Sequence, residues 1–242
     1  DVPEAGFYNI SMEYIAVPSR NVTMERILYI NDEMPFNGAD ILSFYRLWKD
    51  GGPVKYDNQG NSIRPSQVEF YDYQTVRFKS DLGYEVDPYK FYFKKGVNSI
   101  KLVSTNEPIA ISKLSLETVY VDTSYEQYVA KQPVSPDKNK AKDVYVKVQG
   151  EDSIARSDPS LFARYDRSSA ITEPYSVKNT ILNYTGGDSW KASGQWIEWD
   201  FTVPEDGLYN IVPRYLQNVN AGLFSSRKLL IYGGDYNGVP FT

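Results

Sequence analysis

Residues 2–10 read VPEAGFYNI, and residues 203–211 read VPEDGLYNI. No other feature of the chain constrains its fold as strongly. At this offset of 201 residues, positions 2–16 and 203–217 agree at eight of fifteen places, ending with Tyr14 and Tyr215. The match continues through Arg26 with Arg227, Leu28 with Leu229 and Ile30 with Ile231, and a short gap then brings MPF at 34 onto VPF at 239. A phrase of this length used twice marks one supersecondary unit present in two copies.

Inside the repeat, Tyr8, Ile10, Met12 and Tyr14 alternate with Asn9, Ser11 and Glu13, the period of a strand with one core face and one wet face. The second copy keeps the alternation with Tyr209, Ile211 and Tyr215 against Asn210 and Arg214, and Pro213 predicts an edge or a bulge there. ERILYIND and RKLLIYGG read as the next strand of each copy. FYFKKGVNSIKLV reads as a hairpin turning at KKG, and AISKLSLE as a closing strand. With 21 Tyr, 11 Phe and 4 Trp beside 16 Gly and 14 Pro, composition agrees with this pattern. The expectation is an all-β protein.

The chain has neither cysteine nor histidine. Disulfides, zinc-thiolate sites, thiol catalysis and every Ser-His-Asp or Cys-His arrangement are thereby excluded. A net charge of -5 with interspersed signs offers no basic stripe for a phosphate backbone, so nucleic acid is not an expected partner. No window approaches the length of an apolar membrane span. The first residues do not resemble a secretory signal, so the signal of an exported protein would lie outside these residues.

Composition shifts at residues 122–143, DTSYEQYVAKQPVSPDKNKAKD, where TSYEQYVAK predicts a short helix capped by Thr123 or Ser124 and the rest reads as a linker. This divides the chain into residues 1–121, the linker at 122–143 and residues 144–242. In the third part VYVKVQGED reads as a strand, and in GQWIEWDFTVP Ile197, Trp199, Phe201 and Val203 share one face. Residues 37–88 are rich in Gly, Asn, Asp and Pro and read as long loops with short strands.

Three pieces carry a family likeness: VKVQGED, GQWIEWDFTVPEDGLYNIVPRY and FYFKKGVNSIKL. They resemble the galactose-binding-like jelly-roll β-sandwich of carbohydrate-binding module families 6 and 35. LWKDGG, DNQGNSIRPSQVE and KFYFKKGVNSIKL are similar to accessory regions of large secreted solute-binding lipoproteins of Gram-positive carbohydrate ABC transporters. In that order the Val-Pro-x-x-Gly turn stands in mid-domain. The resemblance therefore implies either two adjacent sandwich units, each a half-module, or a single permuted sandwich closed from the late half of one and the early half of the next.

The same resemblance implies a structural calcium at the positions of Gln149 and Glu151, with Gln149 standing where the family has an acid. No other cofactor is expected. Sugar binding needs aromatic faces and planar polar groups on loops. NYTGGDSWKASGQW offers Tyr184, Trp190 and Trp196 for this, and SFYRLWKDGG offers Tyr45, Arg46 and Trp48. DNQGN lacks the spacing of a calcium loop and reads as a turn. Asn9, Asn21 and Asn183 fit the glycosylation sequon. Glu198 and Asp200 share one strand face without a motif that singles them out.

The expected function is a non-catalytic carbohydrate-binding module, extracellular or on a bacterial cell surface and part of a larger solute-binding or glycan-active protein. Its expected partners are an oligo- or polysaccharide and the rest of the parent protein, without membrane contact of its own. The alternatives are a structural spacer without ligand and, third, a histidine-free glycosidase or lyase.

Overall fold

The structure is a computed structural model, and it describes residues 1–141, 143–217, 222, 224–233 and 236–241. It is all-β and antiparallel, as expected, and divides into two units. The first contains Asp1–Tyr120 and Lys147–Phe201; the second contains Val121–Val146 and Thr202–Thr242.

The first unit is a β-sandwich. Its strands in chain order are β1 (Gly6–Ala16), β2 (Met24–Ile30), β3 (Leu42–Phe44), β4 (Leu47–Asp50), β5 (Lys55–Tyr56), β6 (Ser62–Ile63), β7 (Gln67–Phe70), β8 (Gln74–Arg77), β9 (Phe91–Phe93), β10 (Ile100–Asn106), β11 (Ile109–Thr118), β12 (Ala155–Arg156) and β13 (Ile197–Glu198). One sheet runs β11-β1-β8 with β9 also on β1, a second runs β10-β2-β3, and a third runs β13-β12-β4-β7. β5 and β6 form a small hairpin whose DNQGN turn closes with Asp57 accepting from the backbone of Gln59 and Asn61, both at 2.8 Å.

Alternation builds the core between the first two sheets. Ile10, Met12 and Tyr14 of β1 face Met24, Leu28 and Ile30 of β2, with Phe44, Phe78, Phe91 and Phe93 filling between them, all buried. Each such side chain contributes roughly 1.5 to 3 kcal/mol on leaving water. The opposite face of β1 is not wet throughout. Asn9 and Ser11 are buried too: Asn9 donates to the Tyr89 carbonyl and accepts from the Tyr120 backbone N–H, while Ser11 donates to Glu117.

FYFKKGVNSIKLV does not form the expected hairpin. β9 pairs with β1 and β10 with β2, so the Lys94–Ser99 turn carries the chain from one sheet to the other. It is held by Val2 and Gly96, which exchange backbone hydrogen bonds of 2.8 Å in both directions, and by the Asn98 amide on the Lys94 carbonyl at 2.7 Å. The next turn crosses back through Glu107, at φ 58, and Pro108.

A buried charge cluster ties the open end of the sandwich. Arg46, 2% exposed, donates to Glu69 at 2.5 Å, Glu107 at 2.8 Å and the carbonyls of Val17 and Val22. Burial works to raise the Glu107 carboxyl, but Arg20, Ser19 and Arg46 outweigh it and hold it below the usual range.

Residues 147–201 close on this frame. β12 pairs with β4 through Arg156 and Trp48, and the Ser62 N–H donates to the Thr180 carbonyl at 2.8 Å. Arg156 is fully buried and donates to Asp50, Gln67 and the Ser153 carbonyl. Residues 147–201 thus pack with residues 1–120, whereas the division drawn from the sequence grouped them with residues 202–242. VYVKVQ forms no strand, and Val146 and Val148 are exposed at 38% and 41%. In GQWIEWDFTVP only Ile197–Glu198 is strand, and Phe201 is 54% exposed, because the single neighbour β12 spans two residues.

In the second unit, α1 (Tyr125–Ala130) starts at Ser124 with a complete capping box to Gln127. A 3-10 turn at Pro136–Lys138 follows, and β14 (Leu229–Gly233) pairs with β15 (Tyr236–Phe241). Asn139 binds the Leu208 backbone at both its N–H and its carbonyl. The second repeat copy reproduces the local turn of the first: Tyr8 donates to the Glu4 carbonyl at 2.8 Å and Tyr209 to the Glu205 carbonyl at 2.6 Å. It does not reproduce the strand. Residues 208–217 carry no ladder, and Ile211 and Tyr215 are 56% and 79% exposed.

Candidate functional site

The two sheets of the sandwich end side by side at β3 and β8, both edge strands. Between these edges opens a cavity of about 80 Å³, lined by Leu42, Ser43, Phe44, Tyr45, Val76 and Phe78 and closed by Gly194 and Trp196 from the later segment. The structure therefore brings together Tyr45 and Trp196, two aromatic side chains 151 positions apart in sequence.

Each is fixed from its backbone outward. The Tyr45 carbonyl accepts from the buried Tyr14 hydroxyl at 2.9 Å and from the Gln74 amide at 3.0 Å, and its own hydroxyl donates to the Ser193 carbonyl at 3.2 Å. Trp196 is held at its N–H by the Ser157 hydroxyl, 2.9 Å, and at its carbonyl by the Ser157 N–H, 3.1 Å. Gly194 is required where it stands. It has φ 80, and a Cβ there would lie 2.4 Å from the Tyr45 hydroxyl.

The electrostatics of the mouth centre on Asp81, whose carboxyl acts on the Tyr45 phenol. Burial, with a smaller contribution from Glu25, pushes its carboxyl up to about 6 against the opposing Lys79. Burial also raises the Tyr45 phenol, assisted by Asp81 and Asp158, so it stays a hydrogen-bond donor across the physiological range. Arg77 lines the same edge, but its guanidinium is taken by Glu117 at 2.7 Å and lies over the Tyr120 ring.

Because folding raises the Asp81 pKa, the native state binds a proton more tightly than the unfolded chain between pH 3.8 and about 6. Stability from this group is present at the acid end of that window and lost as pH rises through it. Asp81→Asn is expected to remove this contribution, so that its Tm gains on the wild type as pH rises through the window, as read by thermal melts of both chains at closely spaced pH.

The other expected site residues lie elsewhere. Trp48 is 7% exposed, in the ladder between β12 and β7, and turns no ring face to solvent. Tyr184 and Trp190 gather around the turn at Gly186 and Gly187: Trp190 donates its indole N–H to the Gln195 carbonyl at 3.1 Å, and Tyr184 is bridged through its backbone to Arg164. Both are half-buried, and neither lines the Tyr45–Trp196 cavity.

Gln149 and Glu151 stand in a turn. Burial pushes the Glu151 carboxyl up to about 7, and its Oε2 is buried without a hydrogen-bond partner. Calcium takes six to eight oxygens, and among the described residues no group of three or more Asp, Glu, His or Cys side chains is gathered for a metal. Of the sequon residues, Asn9 and Asn183 are buried and hydrogen-bonded, and Asn21 is exposed.

Sequence reasoning missed Asp81, Ser43 and Gly194. Asp81 sits in a polar loop, SDLGY, with nothing in its neighbours to mark it. Gly194 carries a faint signal in SGQW, a glycine directly before a polar-aromatic pair. A second, more open concavity of about 290 Å³ is lined by Phe36, Glu85, Asp87, Pro88, Tyr89 and Lys90, where Phe36 and Tyr89 pack edge to face.

Compared with family models, curated proteins and solved structures, the chain gives no match.

Proposed function

We propose that this chain is a non-catalytic, extracellular carbohydrate-binding module of the galactose-binding-like jelly-roll type, belonging to a larger surface solute-binding or glycan-active protein. The observation that supports the reading is the convergence of Tyr45 and Trp196 on one cavity at the edge of a β-sandwich. An indole and a phenol ring offer faces to the C–H groups of a pyranose, Ser43 lines the same wall, and Asp81 stands beside the Tyr45 hydroxyl. The cavity admits part of a sugar ring, such as a hydroxymethyl arm, and leaves the rest of a chain to run over the surface.

The test is a glycan array probed with the wild-type chain and with Trp196→Ala, followed by titration of any hit. Retention of a neutral oligosaccharide that falls about tenfold or more in the variant upholds the reading. Absence of every glycan hit rejects it in favour of the spacer.

A further inference from the structure

Among the described residues β11 (Ile109–Thr118) is the longest strand after β1 and stands at the end of its sheet, paired on one side, to β1. A long unpaired edge is a template for another strand, and proteins commonly blunt it with proline, short length or inward-pointing charge. IAISKLSLET holds no proline and is ten residues long; its bulge against β1 falls at Ser112, and its one lysine, Lys113, lies on the face away from the core. Its core-side residues Ile111, Leu114 and Leu116 are 41%, 40% and 39% exposed, although their partners Met12 and Ile10 are fully buried.

The sequence of β11 is self-complementary. Laid antiparallel against itself with Ser115 opposite Ser115, it sets Leu114 opposite Leu116 twice on the core face and Lys113 opposite Glu117 twice on the outer face, with Ser112 opposite Thr118. The faces agree with those observed, since Lys113 and Glu117 pair with Glu13 and Asn9 of β1, away from the core. Glu117 already holds Arg77 and Ser11 through its two oxygens, and a carboxylate has further acceptor positions for a lysine. Cross-strand apolar and opposite-charge pairs are the units that stabilise such a ladder, and a contact made by the same strand on both sides closes after two copies.

We propose that two copies of this chain associate through antiparallel β11–β11 pairing about a two-fold axis at Ser115, which joins their sheets into one. The contact is a single pair of strands, so the dimer is in exchange with monomer at micromolar concentrations rather than permanent.

Sedimentation velocity over a range of loading concentrations is expected to show a monomer–dimer equilibrium. Lys113→Glu, an exposed change that sets glutamate against glutamate, is expected to weaken it about tenfold. The chain has no cysteine, so Ser115→Cys gives a clean trap. Residues directly opposite on paired strands lie at a Cα separation that a disulfide can span, and mild oxidation should yield one covalent dimer. Ser104→Cys on β10, the edge of the other sheet, serves as the control. The proposal is overturned by a wild-type chain that sediments as monomer throughout, or by a Ser104→Cys variant that crosslinks as fast as Ser115→Cys.

Discussion

Arg46→Met is expected to lower the stability of the first unit by about 3 to 5 kcal/mol, read as a shift of the urea midpoint at unchanged slope. Arg46 is 2% exposed, and its guanidinium is, among the described residues, the one cation paired with Glu69, whose side chain is itself 6% exposed. Methionine fills much the same volume, so the loss is electrostatic: two backbone carbonyls lose a donor and Glu69 is left buried without its charge partner. Adding Glu69→Gln to the same chain is expected to recover part of the loss, because the uncompensated charge, rather than the missing attraction, dominates the cost. Equal stability of the single and double variants would show that packing and not charge sets the effect.

Arg156→Ala is expected to cost about 2 to 4 kcal/mol and, unlike Arg46→Met, to act first on residues 147–201. Arg156 is fully buried and spans Asp50 of β4, Gln67 of β7 and the Ser153 carbonyl, so it fastens the later segment to strands made far earlier in the chain. Asp50 keeps its hydrogen bond from Gln67 and is 24% exposed, which moderates the cost relative to Glu69. Limited proteolysis should cut the variant within 147–201 while residues 1–120 persist. Uniform protection of both segments would refute the view that this arginine closes the sandwich. The same variant offers an independent check on the site, since Trp196 comes from the segment that would detach.

The legible part of the fold lay in local chemistry. Alternation at Tyr8, Ile10, Met12 and Tyr14 marked β1, with Ile10, Met12 and Tyr14 fully on its core side, and Thr123 and Ser124 marked the helix start, where the cap is Ser124. Of the candidate binding residues, Tyr45 and Trp196 meet at one cavity, Tyr184 and Trp190 form a separate cluster, and Trp48 is buried. All five are aromatic residues in polar, glycine-rich surroundings, and that composition is the same for a ring that faces a ligand and one that covers a core. Asp81 was invisible because what singles it out, burial beside Tyr45, comes from residues far from it in sequence.

The repeat that opens the chain shows where the division falls. Both copies of Val-Pro-Glu-x-Gly-x-Tyr fold into the same turn, closed by the same tyrosine hydroxyl on the same glutamate carbonyl, because the two groups are four residues apart and need nothing else. The first copy then becomes a buried central strand, and the second, with Ile211 and Tyr215 exposed, does not. A strand has no hydrogen bonds of its own and takes all of them from neighbours. For the first copy these come from β8, β9 and β11, whose paired residues lie between 60 and 110 positions away. The sequence by itself determined the Val-Pro-Glu-x-Gly-x-Tyr and DNQGN turns, the helix start and the core face of β1. Only the tertiary structure decided which strands would meet, that residues 147–201 would close on 1–120, and that Tyr45 and Trp196 would share one cavity.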